Sequence, residues 1–334
     1  MALKLFNTLS RPSRKFALLL MMVSAPVLAA DAPTQNEGKP PAWAYPVNPP
    51  DFKPAPGDGK TQHVPDSTTG YTSSQLHDFY LAPDWHPEDH VPMPEVVMHG
   101  RKPSVYACGF CHRADGPGGP ENSSLARLPA AYIIQQMADF KSGVRKTSVP
   151  QRLPPQAMTS LAKAATDDEV TAAAAYFSAL KLKQLIRVIE TNTVPKSYVA
   201  GWFLAAVNNG DTEPIGQRII EVPEDLEQFE HRDARSRFIA YVPTGSVQKG
   251  QTLAITGRGD KTIQCRTCHG PDLKGTVTIP GIAGRSPSYI FRQLYDFRNG
   301  SRAGIGSVLM KHTVAKLTDG DMLSLAAYTA SLKP

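Results

Sequence analysis

The sequence predicts an all-α protein made of two tandem copies of one helical domain, with a proline-rich N-terminal arm and a small β-containing bridge. Two observations support this prediction. The pentapeptide Cys-X-X-Cys-His occurs at residues 108–112 and 265–269, and these two motifs use all four cysteines of the 334-residue chain. The residues around the motif also recur at a constant offset of 157 positions, which indicates a duplicated domain.

The repeat continues past the motif without a gap. At the offset of 157 the matched pairs include Gly100 with Gly257, Tyr132 with Tyr289, Asp139 with Asp296 and Arg145 with Arg302. A length difference of five residues then changes the offset to 152, at which Met158, Thr166 and Tyr176 match Met310, Thr318 and Tyr328. We therefore place the first domain at 94–180 and the second at 247–334.

Residues 1–30 have the features of an export signal. Four basic residues precede the apolar run 16–28, and small residues suited to cleavage follow at Ala29 and Ala30. We expect a periplasmic protein, with an uncleaved anchor as the alternative. Cleavage removes four basic and no acidic residues from the 36 and 30 of the whole chain, leaving a net charge of +2. This charge gives no reason to expect nucleic acid as a partner.

Residues 31–93 are rich in proline and have almost no helical periodicity, which predicts an extended arm. Four histidines lie towards its end: His63, His77, His86 and His90. Their spacing matches no metal-binding motif, so we interpret them as surface histidines in a loop. A copper or zinc site is the alternative.

Each copy is predicted to contain three helices in the same order. The first covers roughly 94–99 or 249–256 and stops near Gly100 or Gly257. The second begins near Ala130 or Pro287 and ends at Gly143 or Gly300. The last begins at Thr166 or Thr318, where a threonine followed three residues later by an acid forms a capping box.

Residues 181–246 are too long and too apolar for a linker. β-Branched and aromatic residues concentrate at 185–193, 198–207, 217–222 and 237–242. Such stretches are suited to short strands. We therefore predict a small β-containing bridge between the two helical domains.

Cys-X-X-Cys-His is typical of covalent attachment of a c-type haem, in which the histidine becomes an axial ligand of the iron. A structural disulfide, a thioredoxin-like redox pair and half of a zinc site are the alternatives. A disulfide would not require a histidine directly after both cysteine pairs, and the sequence lacks the βαβ pattern expected around a thioredoxin motif. Zinc needs four ligands, and the two motifs are too far apart in sequence to presume that they share an ion. The motifs therefore predict two covalently attached haem c groups, on Cys108 and Cys111 with His112, and on Cys265 and Cys268 with His269.

The repeat also selects candidates for the sixth iron ligand among nine methionines. Met158 and Met310 match each other, and we predict both in loops ahead of the last helix. A core methionine is the alternative, and His312 is a rival ligand. His/Met ligation fills both axial positions of the iron, which favours an electron carrier over a site that binds oxygen or peroxide.

The chain resembles the dihaem c4/c553 cytochromes, which have two class I cytochrome c domains. The resemblance rests on the two motifs, on residues 281–289, and on Gln293-Leu294 and Gly300-Ser301-Arg302. It covers roughly 94–180 and 247–334, but neither the arm nor the bridge. It implies that a carbonyl at Pro280 orients the axial histidine, where the first copy has Ser123. By analogy it places four residues near the haem propionates, with packing or surface roles as alternatives: Tyr132, Arg145, Tyr289 and Arg302.

The resemblance implies a periplasmic electron-transfer protein rather than an enzyme. We expect it to carry single electrons between a quinol-oxidising complex or a dehydrogenase and a terminal acceptor such as an oxidase. Contact with a membrane is expected only through a membrane-bound redox partner or an uncleaved signal. The alternatives are a dihaem peroxidase or sulfur-compound dehydrogenase, each of which needs one open iron, and a cytochrome subunit docked on a larger dehydrogenase.

Overall fold

The computed structural model describes residues 38–53 and 59–334. The predicted export signal and the start of the predicted arm lie outside these residues. Within the described ranges, no helix is both long enough and apolar enough to cross a bilayer. Pro40–Pro334 pack together as one unit, and this unit contains both copies of the repeat.

The segment before the first copy contains only short elements. They are strands β1 (Thr61–Gln62) and β2 (Tyr71–Thr72), helix α1 (Ser73–Leu76) and a 3₁₀ turn at Pro87–Asp89. Some of its aromatic side chains are nevertheless buried: Tyr45 and Trp85 are each 3% exposed, and the Trp43 ring lies 4.6 Å from that of Phe291 in the second copy. The burial of these rings holds the described part of the predicted arm against the domains.

The four histidines of this segment differ in exposure. His63 and His77 are exposed, His90 is half-buried and His86 is buried. The interpretation as surface histidines is therefore wrong for two side chains that are each 3% exposed. Nε2 of His86 lies 3.2 Å from Oδ1 of Asp233, and Nε2 of His90 lies 3.1 Å from Oδ1 of Asp84. In the described part of the chain, no group of three or more His, Cys, Asp or Glu side chains is arranged to hold a metal ion.

The first copy is helical. Its helices are α2 (Glu95–Met98), α3 (Cys108–His112), α4 (Ala130–Ser142), α5 (Leu153–Ala164) and α6 (Asp167–Ala179). Gly143 ends α4 with φ +76°, a left-handed conformation that glycine adopts without strain. The apolar core of this copy includes Val97, Ala174 and Phe177.

The bridge contains seven strands and one helix. These are β3 (Ile186–Thr191), β4 (Thr193–Pro195), β5 (Ser197–Ala200), β6 (Phe203–Ala206), β7 (Thr212–Pro214), β8 (Ile220–Pro223), α7 (Leu226–Glu230) and β9 (Phe238–Pro243). β9 lies between β3, to which it is parallel, and β8, to which it is antiparallel. β4 pairs with β7, and β5 pairs with β6. A strand overlaps each of the four predicted stretches.

The second copy repeats the helical order of the first. Its helices are α8 (Ser246–Thr256), α9 (Cys265–His269), α10 (Pro287–Arg298), α11 (Val308–Val314) and α12 (Asp319–Ser331), with a 3₁₀ turn at Ile305–Ser307. Thr166 and Thr318 both cap the last helix of their copy in a complete capping box, which confirms that prediction. The core of this copy includes Leu253, Phe291 and Met322.

The prediction that Met158 and Met310 lie in loops is wrong. Met158 lies in α5 and Met310 lies in α11. In the first copy, Pro154 and Pro155 stand in the opening turn of α5, where a helix does not use the backbone N–H that proline lacks. The two prolines therefore mark the start of a helix rather than a loop.

Candidate cofactor site

Each Cys-X-X-Cys-His motif forms a single short helix that ends in a buried histidine. His112 is 7% exposed and His269 is 8% exposed. Nδ1 of His112 lies 2.8 Å from the carbonyl oxygen of Ser123, and Nδ1 of His269 lies 2.7 Å from that of Pro280. A carbonyl only accepts hydrogen bonds, so each Nδ1 carries the proton and donates. Nε2 of each imidazole is therefore free to bind a metal.

Burial also keeps both imidazoles neutral. It lowers the pKa of His112 to about 4, although the hydrogen bond to Ser123 acts in the opposite direction. The pKa of His269 is likewise lowered by burial and opposed by its bond to Pro280. Neutral imidazole is the form that ligates iron, so both histidines are in the ligating form at neutral pH.

Three of the motif cysteines, Cys108, Cys111 and Cys265, lack the lowered thiol pKa of a redox pair. Burial raises the pKa of the Cys108 thiol to about 12 and that of the Cys265 thiol to about 11. The pKa of Cys111 is raised for the same reason. Thioredoxin-like motifs instead need a lowered thiol pKa, because the thiolate is their nucleophile. The thioredoxin alternative is therefore disfavoured.

One cavity of about 1290 Å³ reaches both motifs. It exceeds the roughly 300–1,000 Å³ of ordinary ligand pockets, so it has room for more than one large group. Its lining includes all twelve residues that the sequence predicts for the sites: Cys108, Cys111, His112, Tyr132, Arg145, Met158, Cys265, Cys268, His269, Tyr289, Arg302 and Met310. The rival ligand His312 is exposed and is not part of this lining.

The predicted tyrosines and arginines form a symmetric network between the two copies. Arg145 donates from Nη2 to the hydroxyl of Tyr289 over 2.9 Å, and Arg302 donates from Nη2 to the hydroxyl of Tyr132 over 2.8 Å. The backbones of Arg145 and Arg302 face each other in an antiparallel bridge. Each arginine therefore joins its own copy to the tyrosine of the other.

Two glutamines, which the sequence analysis did not assign to the site, complete this network. Arg145 donates to Oε1 of Gln136 over 2.8 Å, and Arg302 donates to Oε1 of Gln293 over 2.7 Å. Gln136 and Gln293 match each other at the offset of 157, so the repeat contained the signal that identifies them. Arg285 was also missed. It donates to the carbonyl oxygens of Ser124 and Ala126 across the copies, and no repeat partner marks it.

This network contains buried positive charge without a carboxylate partner. Among the described residues, neither Arg145 nor Arg302 nor Arg285 forms an ion pair with Asp or Glu. Burial lowers the pKa of Arg285 to about 10. Although burial alone would raise it, the pKa of Tyr132 is lowered by the charges of Arg302 and Arg145. Buried charges are normally paired, so the site favours anionic groups in the adjoining cavity.

The arrangement fits a haem in each copy. Two thiols and a neutral imidazole lie on one short helix, a methionine lines the same cavity, and unpaired arginines are available to bind carboxylates such as haem propionates. A disulfide would leave the buried arginines and the orientation of the two imidazoles unexplained.

Comparison with known proteins supports this assignment. No protein-family model matches the chain. The thiosulfate dehydrogenase electron acceptor of Thiomonas intermedia is 28% identical over 69% of this chain and 80% of that protein. Cytochrome c4 of Pseudomonas aeruginosa is 24% identical over 67% of this chain and 83% of that protein. The cytochrome subunit of sulfide dehydrogenase of Chlorobaculum tepidum is 37% identical over 26% of this chain and 77% of that protein.

Proposed function

The chain belongs to the c-type cytochromes, in the dihaem group of the c4 type, and from this premise we propose that it is an exported carrier of single electrons. Two haem c groups are covalently attached in this group of proteins. Each haem supplies an iron that changes between the ferrous and ferric states. The rest of the proposal concerns what the residues of this chain do for the two haems.

We assign the same set of roles in both copies. The thiols of Cys108 and Cys111, and those of Cys265 and Cys268, attach the two haems. Nε2 of His112 and of His269 would ligate the iron, and the backbone carbonyls of Ser123 and Pro280 fix the orientation of these imidazoles. The thioethers of Met158 and Met310, which line the same cavity, would supply the second protein ligand of each iron. Arg145, Arg302, Tyr132 and Tyr289 bind the propionates.

The equivalence of the two sites is the observation that carries the proposal. The distance from the histidine Nδ1 to its backbone carbonyl acceptor differs by only 0.1 Å between the copies, and each copy contributes a methionine to the cavity lining. With both a histidine and a methionine as ligands, neither iron would have a position open for oxygen or peroxide, which supports electron transfer. A dihaem peroxidase needs an open iron in one copy, and no difference between the histidine or methionine positions favours it.

The partners follow from the relatives by analogy. One relative is named an electron acceptor of thiosulfate dehydrogenase, and another is named a cytochrome subunit of sulfide dehydrogenase. We therefore propose a periplasmic dehydrogenase, with sulfur-compound dehydrogenases as the first candidates, as the electron donor. A quinol-oxidising complex is the alternative donor, and an oxidase or another cytochrome is the acceptor.

A potentiometric titration of the exported protein, followed by its absorption spectrum, tests the proposal. We expect two reversible one-electron steps and low-spin spectra in both oxidation states. His269→Ala should lose the low-spin spectrum of one haem, while the matched control His312→Ala, at an exposed position outside the cavity lining, should keep both. A high-spin ferric haem with rapid peroxide turnover in the wild type would instead establish an enzyme.

A further inference from the structure

The two motifs differ in how much of their surface is open. We call the residues at matched positions around each motif the first and second motif faces. The first consists of Tyr106, Gly109, Phe110 and Cys111, and the second of Ile263, Arg266, Thr267 and Cys268. Phe110 is 2% exposed, whereas its counterpart Thr267 is exposed, and Gly109 is buried where Arg266 is exposed. Both copies carry the same cofactor, so the difference comes from the protein around it.

Two segments outside the repeat cover the first motif face. From the N-terminal segment, the Phe79 ring lies 4.7 Å from the rings of both Tyr106 and Phe110. From the bridge, the Arg232 guanidinium lies 3.5 Å from the centre of the Phe110 ring. Arg232 also donates from Nη1 to the carbonyl oxygen of Phe110 over 3.2 Å. Within residues 38–53 and 59–334, no aromatic ring or guanidinium group covers the second motif face in this way.

The backbone directly after the first motif has a conformation that attaches the bridge to this motif. Arg113 has φ +67° at the position where the second copy has Gly270 with φ +87°. A side chain rarely adopts this conformation and costs energy when it does. The Arg113 side chain is buried, lies 4.7 Å over the Phe229 ring of α7 and donates from Nη2 to the Phe229 carbonyl over 3.3 Å. This strained residue therefore attaches the bridge to the first motif.

The second motif face is bordered by exposed apolar side chains. Ile263 is 50% exposed and Leu309 is 68% exposed, and both belong to the lining of the cavity that also includes Cys268. The hydroxyl of Thr262 donates to the Thr313 carbonyl over 2.8 Å. This bond holds the residues just before the second motif against α11. Val277, in the loop that follows the motif, is 90% exposed. Large apolar side chains that are this exposed are candidates for an interaction surface.

The charge around this face is predominantly basic. Residues 257–277 and 304–313 together contain five basic and two acidic side chains. Arg258, Arg266 and Lys311 are exposed, and none of them forms an ion pair with a described carboxylate. A partner with an apolar centre and an acidic rim is complementary to this surface.

We propose that the second motif face is the surface at which this protein exchanges electrons with a soluble redox protein that has an acidic rim. The N-terminal segment and the bridge close the first motif face, so electrons held in the first copy leave through the second. This inference rests on the proposed carrier function. One electron passes to the oxidised partner in each encounter, and no proton or group is transferred.

Stopped-flow oxidation of the reduced holoprotein by copper(II) plastocyanin, an acidic redox protein, tests the proposal. Each encounter reduces copper(II) to copper(I). We expect Arg266→Glu and Leu309→Glu each to lower the second-order rate constant about ten-fold at low ionic strength, because rim charges and apolar contacts control productive encounter. High salt should remove most of the Arg266→Glu effect.

Two substitutions of the same chemical kind at other exposed positions of the first copy provide the controls. Lys163→Glu reverses an exposed charge, and Ile134→Glu replaces an apolar side chain that is 39% exposed. Both should keep the wild-type rate constant. Equal losses in both copies, or no loss from Arg266→Glu and Leu309→Glu, would overturn the proposal while leaving the carrier function in place. Loss of reversible haem titration in the wild type would refute the carrier function itself.

Discussion

At the residue scale, a backbone carbonyl oxygen accepts a hydrogen bond from the motif histidine in both copies, although the side chains at this position differ. Ser123 and Pro280 each present a carbonyl oxygen to the histidine of their motif, at 2.8 and 2.7 Å. The contact with the histidine therefore depends on the position of the Pro280 carbonyl and not on the proline ring. A backbone contact of this kind tolerates a change of side chain, which explains why the repeat does not conserve this position.

Replacing the Ser123 side chain should leave the haem unaffected. In Ser123→Ala the carbonyl that accepts from His112 is retained, so the absorption spectrum and the midpoint potentials should equal those of the wild type. His112→Ala removes the imidazole itself and should abolish the low-spin spectrum of one haem. A shifted spectrum in Ser123→Ala would show that the serine hydroxyl contributes to the site.

Gly109 is the residue that permits the cover over the first motif. A Cβ at this position would lie 2.7 Å from Cβ of Ala82 and 3.0 Å from the carbonyl oxygen of Val97. Contacts this short require the N-terminal segment to move. The counterpart Arg266 is exposed, so the second motif has no such requirement.

Substituting Gly109 by the residue of the second motif should therefore destabilise the protein. We expect Gly109→Arg to lower the free energy of unfolding by about 1–3 kcal/mol through overpacking. Arg266→Ala, at the exposed matched position, should change it by no more than about 0.5 kcal/mol. Urea unfolding of the holoproteins measures both, and equal stabilities would contradict the packing of Ala82 on this glycine.

At the scale of elements, local sequence predicted the helices whose ends carry their own signals. Thr166 and Thr318 predicted the start of the last helix in each copy, and Gly143 and Gly257 predicted the ends of two other helices. Helix α5 was missed because Pro154 and Pro155 look like a loop unless they are recognised as the first turn of a helix, and α11 was missed because Gly304 and Gly306 precede it. Their methionines match each other in the repeat whatever the secondary structure, and both line the cavity; their role as iron ligands stays a prediction.

The capping box of α12 also contains a buried acid, which gives stability a dependence on pH. Asp321 is 1% exposed and lies 2.6 Å from Lys261 Nζ and 3.0 Å from Lys249 Nζ. Burial alone would raise the pKa of Asp321, but hydrogen bonds from Lys261, Thr318 and Lys249 outweigh it and lower the pKa below its usual 3.8. The charged form is therefore favoured in the folded state.

The stabilising effect of Asp321 should be complete at neutral pH and disappear in acid. Because its folded pKa lies below the unfolded value, stability falls as the pH drops through about 4 and below. Asp321→Asn should be less stable than the wild type at pH 7 and should lose less stability between pH 7 and about pH 3. Asp168→Asn, at an exposed acid in the first turn of α6, is the control. Equal pH profiles for wild type and Asp321→Asn in thermal unfolding would contradict the assignment.

At the scale of the whole molecule, the repeat predicted two equivalent domains but not how they meet. The crossed bonds of Arg145 with Tyr289 and of Arg302 with Tyr132 require both copies to be folded and packed. Arg285 has no repeat counterpart, so only its contacts across the copies reveal its role. The cover over the first motif depends on Phe79 and Arg232, which lie far from Phe110 in sequence and reach it only in the fold.

The central claim is that this protein holds two equivalent haems, each ligated by histidine and methionine. The near-infrared spectrum of the ferric protein tests it most directly, through the weak band that reports a bond from methionine sulfur to iron. We predict that the wild type shows this band at two equivalents per chain, and that Met158→Ala and Met310→Ala each lose one. A wild type with one equivalent or none, or a variant that keeps both, would contradict the account.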